Sequence, residues 1–369
     1  MSEGLIRTFS FLMLIGVGLM LKRKIPANQR SGIKQIILSL ALPAVIFVSL
    51  QKVEFSWGMI LFPVLALSFN IIMFGVSGWI SRLIPLAANS PASRTMRILL
   101  PSLAPGLSCF PFILEFLGEE SLANAAFADV GNKIFVLVIL YIVAMRWYYQ
   151  LHSIQGESQF GRLKKFLLIM AREPVNLAII VALILVAFGL NYSVFPSFIQ
   201  ISIDKLSLIM TPLVMIFIGL SVKLTWSHAR QIVTMLMWRS SIAFVLSGVV
   251  ILAFGVVDPA LSMLIVLFPQ SSCSFWPYLH IESVTVMESN LEEGRTFDPT
   301  FALNILAMSL PFSTIMILSL ATFKEYVANT TFIFSLGGVM LIMLISTRLI
   351  KTLRTVSLSS NLANSDSNS

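Results

Sequence analysis

The chain has 369 residues, of which 57% are hydrophobic and only 11% are charged, with a mean hydropathy of +0.90. Soluble domains carry roughly 25% charged residues, so this composition excludes a soluble globular fold and implies a polytopic membrane protein. The net charge of +8 is no nucleic-acid signature, because Lys and Arg fall in short clusters between apolar runs, where topology signals belong.

A bilayer span needs about 20 apolar residues. The pattern predicts an all-α protein with spans near 4–21, 32–50, 57–80, 96–117, 121–146, 174–195, 205–222, 236–257, 260–281, 299–321 and 329–347. The first span has Glu3 before it and Lys22, Arg23 and Lys24 after it. That charge order is the reverse of a signal peptide's.

The fourth span reads PSLAPGLSCFPF from Pro101 and carries Pro105 and Pro111. Proline lacks a backbone donor and clashes with the preceding turn, so the helix should break near Pro105 to Pro111. In hydrocarbon, freed backbone groups are tolerated only where they are buried in protein or line a polar cavity. A broken helix at membrane depth therefore marks a site. The ninth span repeats the pattern as PQSSCSFWP, with Pro269 and Pro277. Cys109 and Cys273 each follow a proline by four residues and are the two cysteines of the chain. LALPAVIFVSL around Pro43 likewise resembles IMTPLVMIFIGLS around Pro212, and Gly18 and Pro26 answer to Gly189 and Pro196.

These recurrences divide the chain into a first five-helix repeat (1–146), a basic cytoplasmic linker (147–173) and a second repeat (174–321). An extra helix (322–354) and a Ser/Asn-rich tail (355–369) that reads as disordered follow. Twenty of the 25 Lys and Arg residues, Arg239 among them, fall in segments assigned to one side when the loop after the first span is placed inside. The N-terminus is then outside and the C-terminus cytoplasmic, in an inner (plasma) membrane. Five helices per unit is an odd number, so the repeats are inverted. Interrupted helices at matching places in two halves point to a transporter binding site.

Lys133 lies near the middle of the fifth span, with Asn132 beside it and Asp129 one turn away. A charge at the bilayer centre costs from roughly 2.5 kcal/mol upward and marks function by default. Lys133 and Asp129 form either a carboxylate anchor with a protonatable partner or an i, i+4 pair that steadies the helix. Ser108, Gln270, Ser271 and Ser272 flank the breaks, where they either touch substrate or satisfy freed backbone. Cys109 and Cys273 read as small packing residues where the breaks approach. Glu115 is a protonation site or an interfacial carboxylate. His280 and Glu282 form a proton relay or an inner-interface pair. The sequence has no phosphate-binding Gly loop, no HExxH and no metal-ligand spacing, so neither an enzyme nor a cofactor is expected.

In chain order, the sequence resembles the auxin efflux carrier family of secondary transporters, which includes plant PIN proteins and bacterial malonate or malate permeases. The matching residues are Gly18-Leu19-Met20-Leu21-Lys22-Arg23, Leu40-Ala41-Leu42-Pro43-Ala44-Val45-Ile46-Phe47, and Pro111 with Phe116-Leu117-Gly118-Glu119-Glu120. They continue with Asp129, Arg172-Glu173-Pro174-Val175-Asn176, and Pro212 with Gly219-Leu220-Ser221, so the resemblance covers 1–321. It implies five plus five helices, with the fourth and ninth unwound at prolines and crossing near the membrane centre. It also implies a scaffold of helices one, two, six and seven, often dimeric, and a moving transport domain. The implied cargo is a small organic anion, such as a mono- or dicarboxylate, coupled to H+ or Na+. Two runs depart from the family pattern: Gly106-Leu107-Ser108-Cys109-Phe110, where members place an Asn, and Phe268-Pro269-Gln270-Ser271-Ser272, where they show Pro-Pro-Ala. The eleventh helix lies outside the family plan. A sodium-coupled, bile-acid-like symporter shares the crossed-helix plan and is an alternative. A non-transporting sensor or scaffold is the alternative of another class.

Overall fold

A computed structural model describes residues 3–52, 57–84, 86–87, 89–152, 174–221, 229–290, 294–327 and 329–346. Most of the linker and the whole Ser/Asn-rich tail lie outside the described residues. Among the described residues every regular element is helical. We number them α1 (Glu3–Leu21), α2 (27–52), α3 (Leu61–Leu83), α4a (Pro91–Leu99), α4b (105–117), α5 (Glu119–Leu151) and α6 (Pro174–Ala187). There follow α7 (Ser197–Ser221), α8 (Ala229–Ala253), α9a (Pro259–Leu267), α9b (Trp276–Met287), α10 (Pro299–Thr322) and α11 (Thr330–Ser346). Among them α2, α3, α5, α7, α8 and α10 contain unbroken segments long and apolar enough to cross a bilayer. The chain is an integral membrane protein with several such spans.

Local chemistry sets the helix starts. Three begin with a capping side chain followed by proline: Ser90-Pro91, Asp258-Pro259 and Asp298-Pro299. Each cap accepts from a first-turn N–H, such as Ser93 N, Leu261 N or Phe301 N. Proline at the first position forfeits only a donor that the helix leaves unpaired anyway. Inside α2, Pro43 has to be absorbed. The turn before it widens into a π-segment, Ile37–Ala41, which takes up the missing i−4 bond. A second π-segment, Phe135–Ile139, follows Lys133 in α5.

Helices α1, α2, α6 and α7 pack mainly on one another, while α3 packs on α5, α8 on α9a and α10, and α9b on α5 and α10. Small residues allow the closest approaches. A Cβ at Gly18 would overlap the carbonyl of Ile216, and one at Gly219 would overlap that of Ile15, so the α1–α7 crossing needs glycine on both sides. Gly131 of α5 sits equally close to the carbonyl of Pro63 in α3. Such contacts are how membrane helices gain packing without a hydrophobic drive between them.

Three features differ from the sequence reading. The first break falls at 101–104, N-terminal of Pro105, and Pro111 stands in the first turn of a helical segment, Phe110–Leu117. Prolines favour first turns, so Pro105 and Pro111 restart the helix where they were expected to interrupt it. A kink at Cys109 separates Pro105–Ser108 from that segment. In the ninth span, likewise, the break is 271–275, and Pro277 is the second residue of α9b. Finally, α8 starts at Ala229, well before 236, so Arg239, expected in the first turn of that span and counted with the charges of one side, is a buried interior residue.

The Gly131 contact gives a direct check. Gly131→Val should destabilise the purified protein by about 1–3 kcal/mol through overpacking of α5 against α3. Gly75→Val, at a site with nothing within 4 Å, should cost far less. Thermal unfolding in detergent compares the two.

Candidate functional site

The two breaks meet and bond directly. Ala104 N donates to Ser272 O at 2.8 Å. Ser272 N donates to Ser108 Oγ at 2.9 Å, and Ser274 N to Ser102 Oγ at 3.0 Å. Three neighbouring helices complete the pairing. From α5, Asn132 Nδ2 donates to Leu103 O at 2.9 Å while its Oδ1 accepts from Leu103 N at 3.2 Å, a two-point grip on one residue of the break. From α10, Ser309 Oγ accepts from Cys273 N at 3.2 Å. From α8, Arg239 Nη2 donates to Pro269 O at 3.3 Å and Ser102 O at 3.5 Å. Backbone N–H groups are thus satisfied from Ser102 to Ala104 and from Ser271 to Ser274. This is the condition for irregular backbone at membrane depth.

A cavity of about 650 Å³ opens beside the crossing. Asp129, Asn132, Lys133, Ser272, Cys273 and Pro105 all line it. Its wall continues to Lys34 in α2, Ser221 at the end of α7, and Thr300 and Asn304 in α10. By helix alternation, these ends lie on the face that carries the Lys22-Arg23-Lys24 connection. Lys133 is 5% exposed. Its Nζ lies 3.3 Å from Asp129 Oδ2 and donates to Asn176 Oδ1 of α6 at 3.0 Å. Asp129 Oδ1 also accepts from Asn132 Nδ2 at 2.8 Å. The ion pair is therefore wired both to the first break and to a helix of the α1/α2/α6/α7 group. Lys34 Nζ sits 4.5 Å above the Phe275 ring at the start of α9b, a cation–π contact that places a second cation on the wall.

The other expected site residues stand behind the wall and serve backbone. Ser108 Oγ donates to Ala104 O at 2.8 Å and Ser271 Oγ to Phe268 O at 2.6 Å. Gln270 Nε2 donates to Ser240 O at 3.2 Å, and Cys109 Sγ donates to Leu267 O at 3.6 Å. Pro111, Pro269 and Pro277 do not line the cavity. Glu115 pairs with Arg7 at 3.7 Å on the opposite face, where Lys52 also meets Glu119 at 2.9 Å. His280 donates through Nε2 to Val136 O of the π-segment at 2.8 Å, while Glu282 is exposed. Among the described residues, no group of three or more His, Cys, Asp or Glu is placed to hold a metal ion.

Sequence reasoning missed Arg239, Lys34, Asn176 and Asn304. A cue for Arg239 was available: it lies inside a run, Ala229–Ala253, that is apolar enough to be one span. Lys34 was counted only as a topology charge. Asn176 entered only through the Arg172–Asn176 run of the resemblance, its partner Lys133 lying 43 residues away, and Asn304 was not singled out.

No protein-family model matches the chain. Over 116 residues it is 35% identical to a protein of Methanocaldococcus jannaschii described as an uncharacterized transporter. That stretch is 31% of this chain and 34% of the relative, so the chain spans about a third of the relative's length.

Asn132 is the residue on which the break geometry should depend most. Asn132→Leu strands both polar groups of Leu103, each worth about 1–3 kcal/mol when buried and unpaired. Thermal unfolding of the purified protein should show a larger loss for Asn132→Leu than for Ser108→Ala, which leaves only the Ser272 N–H without its acceptor and releases Ala104 O.

Proposed function

We propose that this protein is a secondary active transporter of a small organic anion, a mono- or dicarboxylate, held in the cavity beside the two crossing breaks. The observation that carries this reading is a buried lysine, Lys133, on the wall of a cavity formed where two interrupted helices meet. Interrupted helices with a cavity at the crossing are a transporter device. The volume lies within the roughly 300–1,000 Å³ usual for small-molecule sites. The partial likeness to a protein described as a transporter points the same way.

Charge favours an anion. The wall carries two cations, Lys34 and Lys133, against one carboxylate, Asp129. The break N–H groups are already paired, so recognition falls to these side chains, assisted by the positive end of α9b beside Phe275 and Trp276. A substrate carboxylate that takes the place of Asn176 on Lys133 Nζ would also untie α5 from α6. Binding is thereby coupled to movement of α3–α5 and α8–α10 against α1, α2, α6 and α7. The ion pairs Arg7–Glu115 and Lys52–Glu119 join those two groups on the opposite face, which Phe11 against Phe112 and Phe116 and the Thr8–Thr322 hydrogen bond also close. In this reading the protein is open toward the basic, cytoplasmic face, with the N-terminus outside. The paired breaks support an inverted repeat of 1–146 and 174–321. A homodimer through α1, α2, α6 and α7 fits their exposed apolar faces, such as Met20, Phe188, Phe198 and Leu208, which lipid also fits.

The test is uptake of labelled mono- and dicarboxylates into proteoliposomes, with and without a pH gradient. A charge-assisted hydrogen bond is worth about 1.5–3 kcal/mol, so Lys133→Gln should raise KM by roughly 10- to 100-fold. Lys133→Met/Asp129→Leu replaces a buried pair by apolar groups at little cost in stability. It should fold and fail to transport, and wild-type uptake by this double variant would assign the pair a purely structural role.

A further inference from the structure

Arg239 is a charge that the anion site does not use. It lies in the interior of α8, 1% exposed, and among the described residues no carboxylate comes within ion-pair distance of it. Its Nη2 reaches one carbonyl of each break, Pro269 O and Ser102 O, and its Nε has no hydrogen-bond partner. A lone guanidinium buried among membrane helices is costly, so something must offset it. The offset available is the pair of carbonyl ends. Pro269 lies in the last turn of the α9a segment and Ser102 just beyond α4a. A helix C-terminus carries about −0.5 of an elementary charge. Pro269 O belongs to such an end, and the Ser102 carbonyl of the other break adds a second dipole, so the two together present the negative potential that a single monovalent cation would answer. Carbonyl ends of interrupted helices are also where transporters coordinate Na+. Here a side chain fills that place, and a guanidinium cannot deprotonate in a protein.

We propose that Arg239 is a resident counter-cation. It occupies the carbonyl-lined position between the two breaks, so no alkali cation binds there and transport runs without sodium or potassium. The transport clause rests on the function proposed above, whereas the binding clause does not. Gln270 and Ser240 reinforce the placement, since the Gln270 amide ties the end of the α9a segment to α8 one residue from Arg239.

The two clauses are separated by stability measurements that require no substrate. The unfolding midpoint of the purified wild-type protein should be the same in sodium, potassium and choline chloride at equal ionic strength. Arg239→Lys keeps the charge and should stay within a few degrees of wild type. Arg239→Met keeps much of the bulk without the charge and should lose stability. Arg239→Ala should lose stability in choline and regain several degrees, saturably, with millimolar guanidinium or sodium. A saturable sodium shift in the wild type, an Arg239→Met variant as stable as wild type, or an Arg239→Ala variant that no cation rescues would each overturn the proposal. If the Ala and Met variants do not fold, the sodium titration of the wild type and the behaviour of Arg239→Lys decide. Uptake by the wild type should be equal in sodium and choline. No uptake in either would count against the transporter reading alone and leave the stability result to judge Arg239.

Discussion

Backbone N–H and C=O groups cannot be left unpaired in hydrocarbon, and this constraint governs the middle of the molecule. Two helices are interrupted there. Each break satisfies part of the other, through Ala104 with Ser272 and through Ser102 with Ser274. The remainder falls to side chains from α5, α8 and α10: Asn132, Arg239 and Ser309. At the breaks, these polar side chains stand where the backbone needs them. The same demand explains why Ser108, Gln270 and Ser271 turn toward backbone and away from the cavity.

A crossing tied in this way behaves as a unit. Break-to-break bonds, the Asn132 grip and the α3–α5 contact at Gly131 bind the interrupted helices to their neighbours. The connection to the other helix group is mixed: α2 packs on α5, and Phe11 of α1 packs edge-on against Phe112 and Phe116. Lys133 to Asn176 bridges it at membrane depth, and two partly exposed ion pairs bridge it at one face. Exposed pairs are weak, typically 0–1 kcal/mol, so the closure of that face rests more on the buried Phe11 against Phe112 and Phe116 and on the Thr8–Thr322 hydrogen bond. Under the proposed function, a substrate would compete with Asn176 for Lys133, and that link to the other helix group is what alternating access would use.

Much of this was legible in the sequence, and the failures have physical causes. Matched Pro and Cys spacings located both breaks, because proline chemistry is local. The exact unwound residues were missed, since a proline that starts a helix looks the same in sequence as one that ends it, and Pro105 and Pro111 do the former. The Lys133–Asp129 pair was visible because both residues lie on one helix. Its partner Asn176 was not, being 43 residues away. Arg239 was misread because a charge was taken to mark the end of a span. A charged residue can lie within a span when carbonyls from two other helices converge on it, and no local pattern reports that convergence.

On the function proposed above, the cavity beside the crossing is an aqueous path to the basic face, closed from the other. Ala307 of α10 lines that cavity. In a background with Cys109→Ser and Cys273→Ser, an Ala307→Cys variant should react with a membrane-impermeant thiol reagent applied to the cytoplasmic face of oriented vesicles. It should resist the same reagent from the external face. Labelling from the external face alone, or from neither face, would contradict an inward-open cavity.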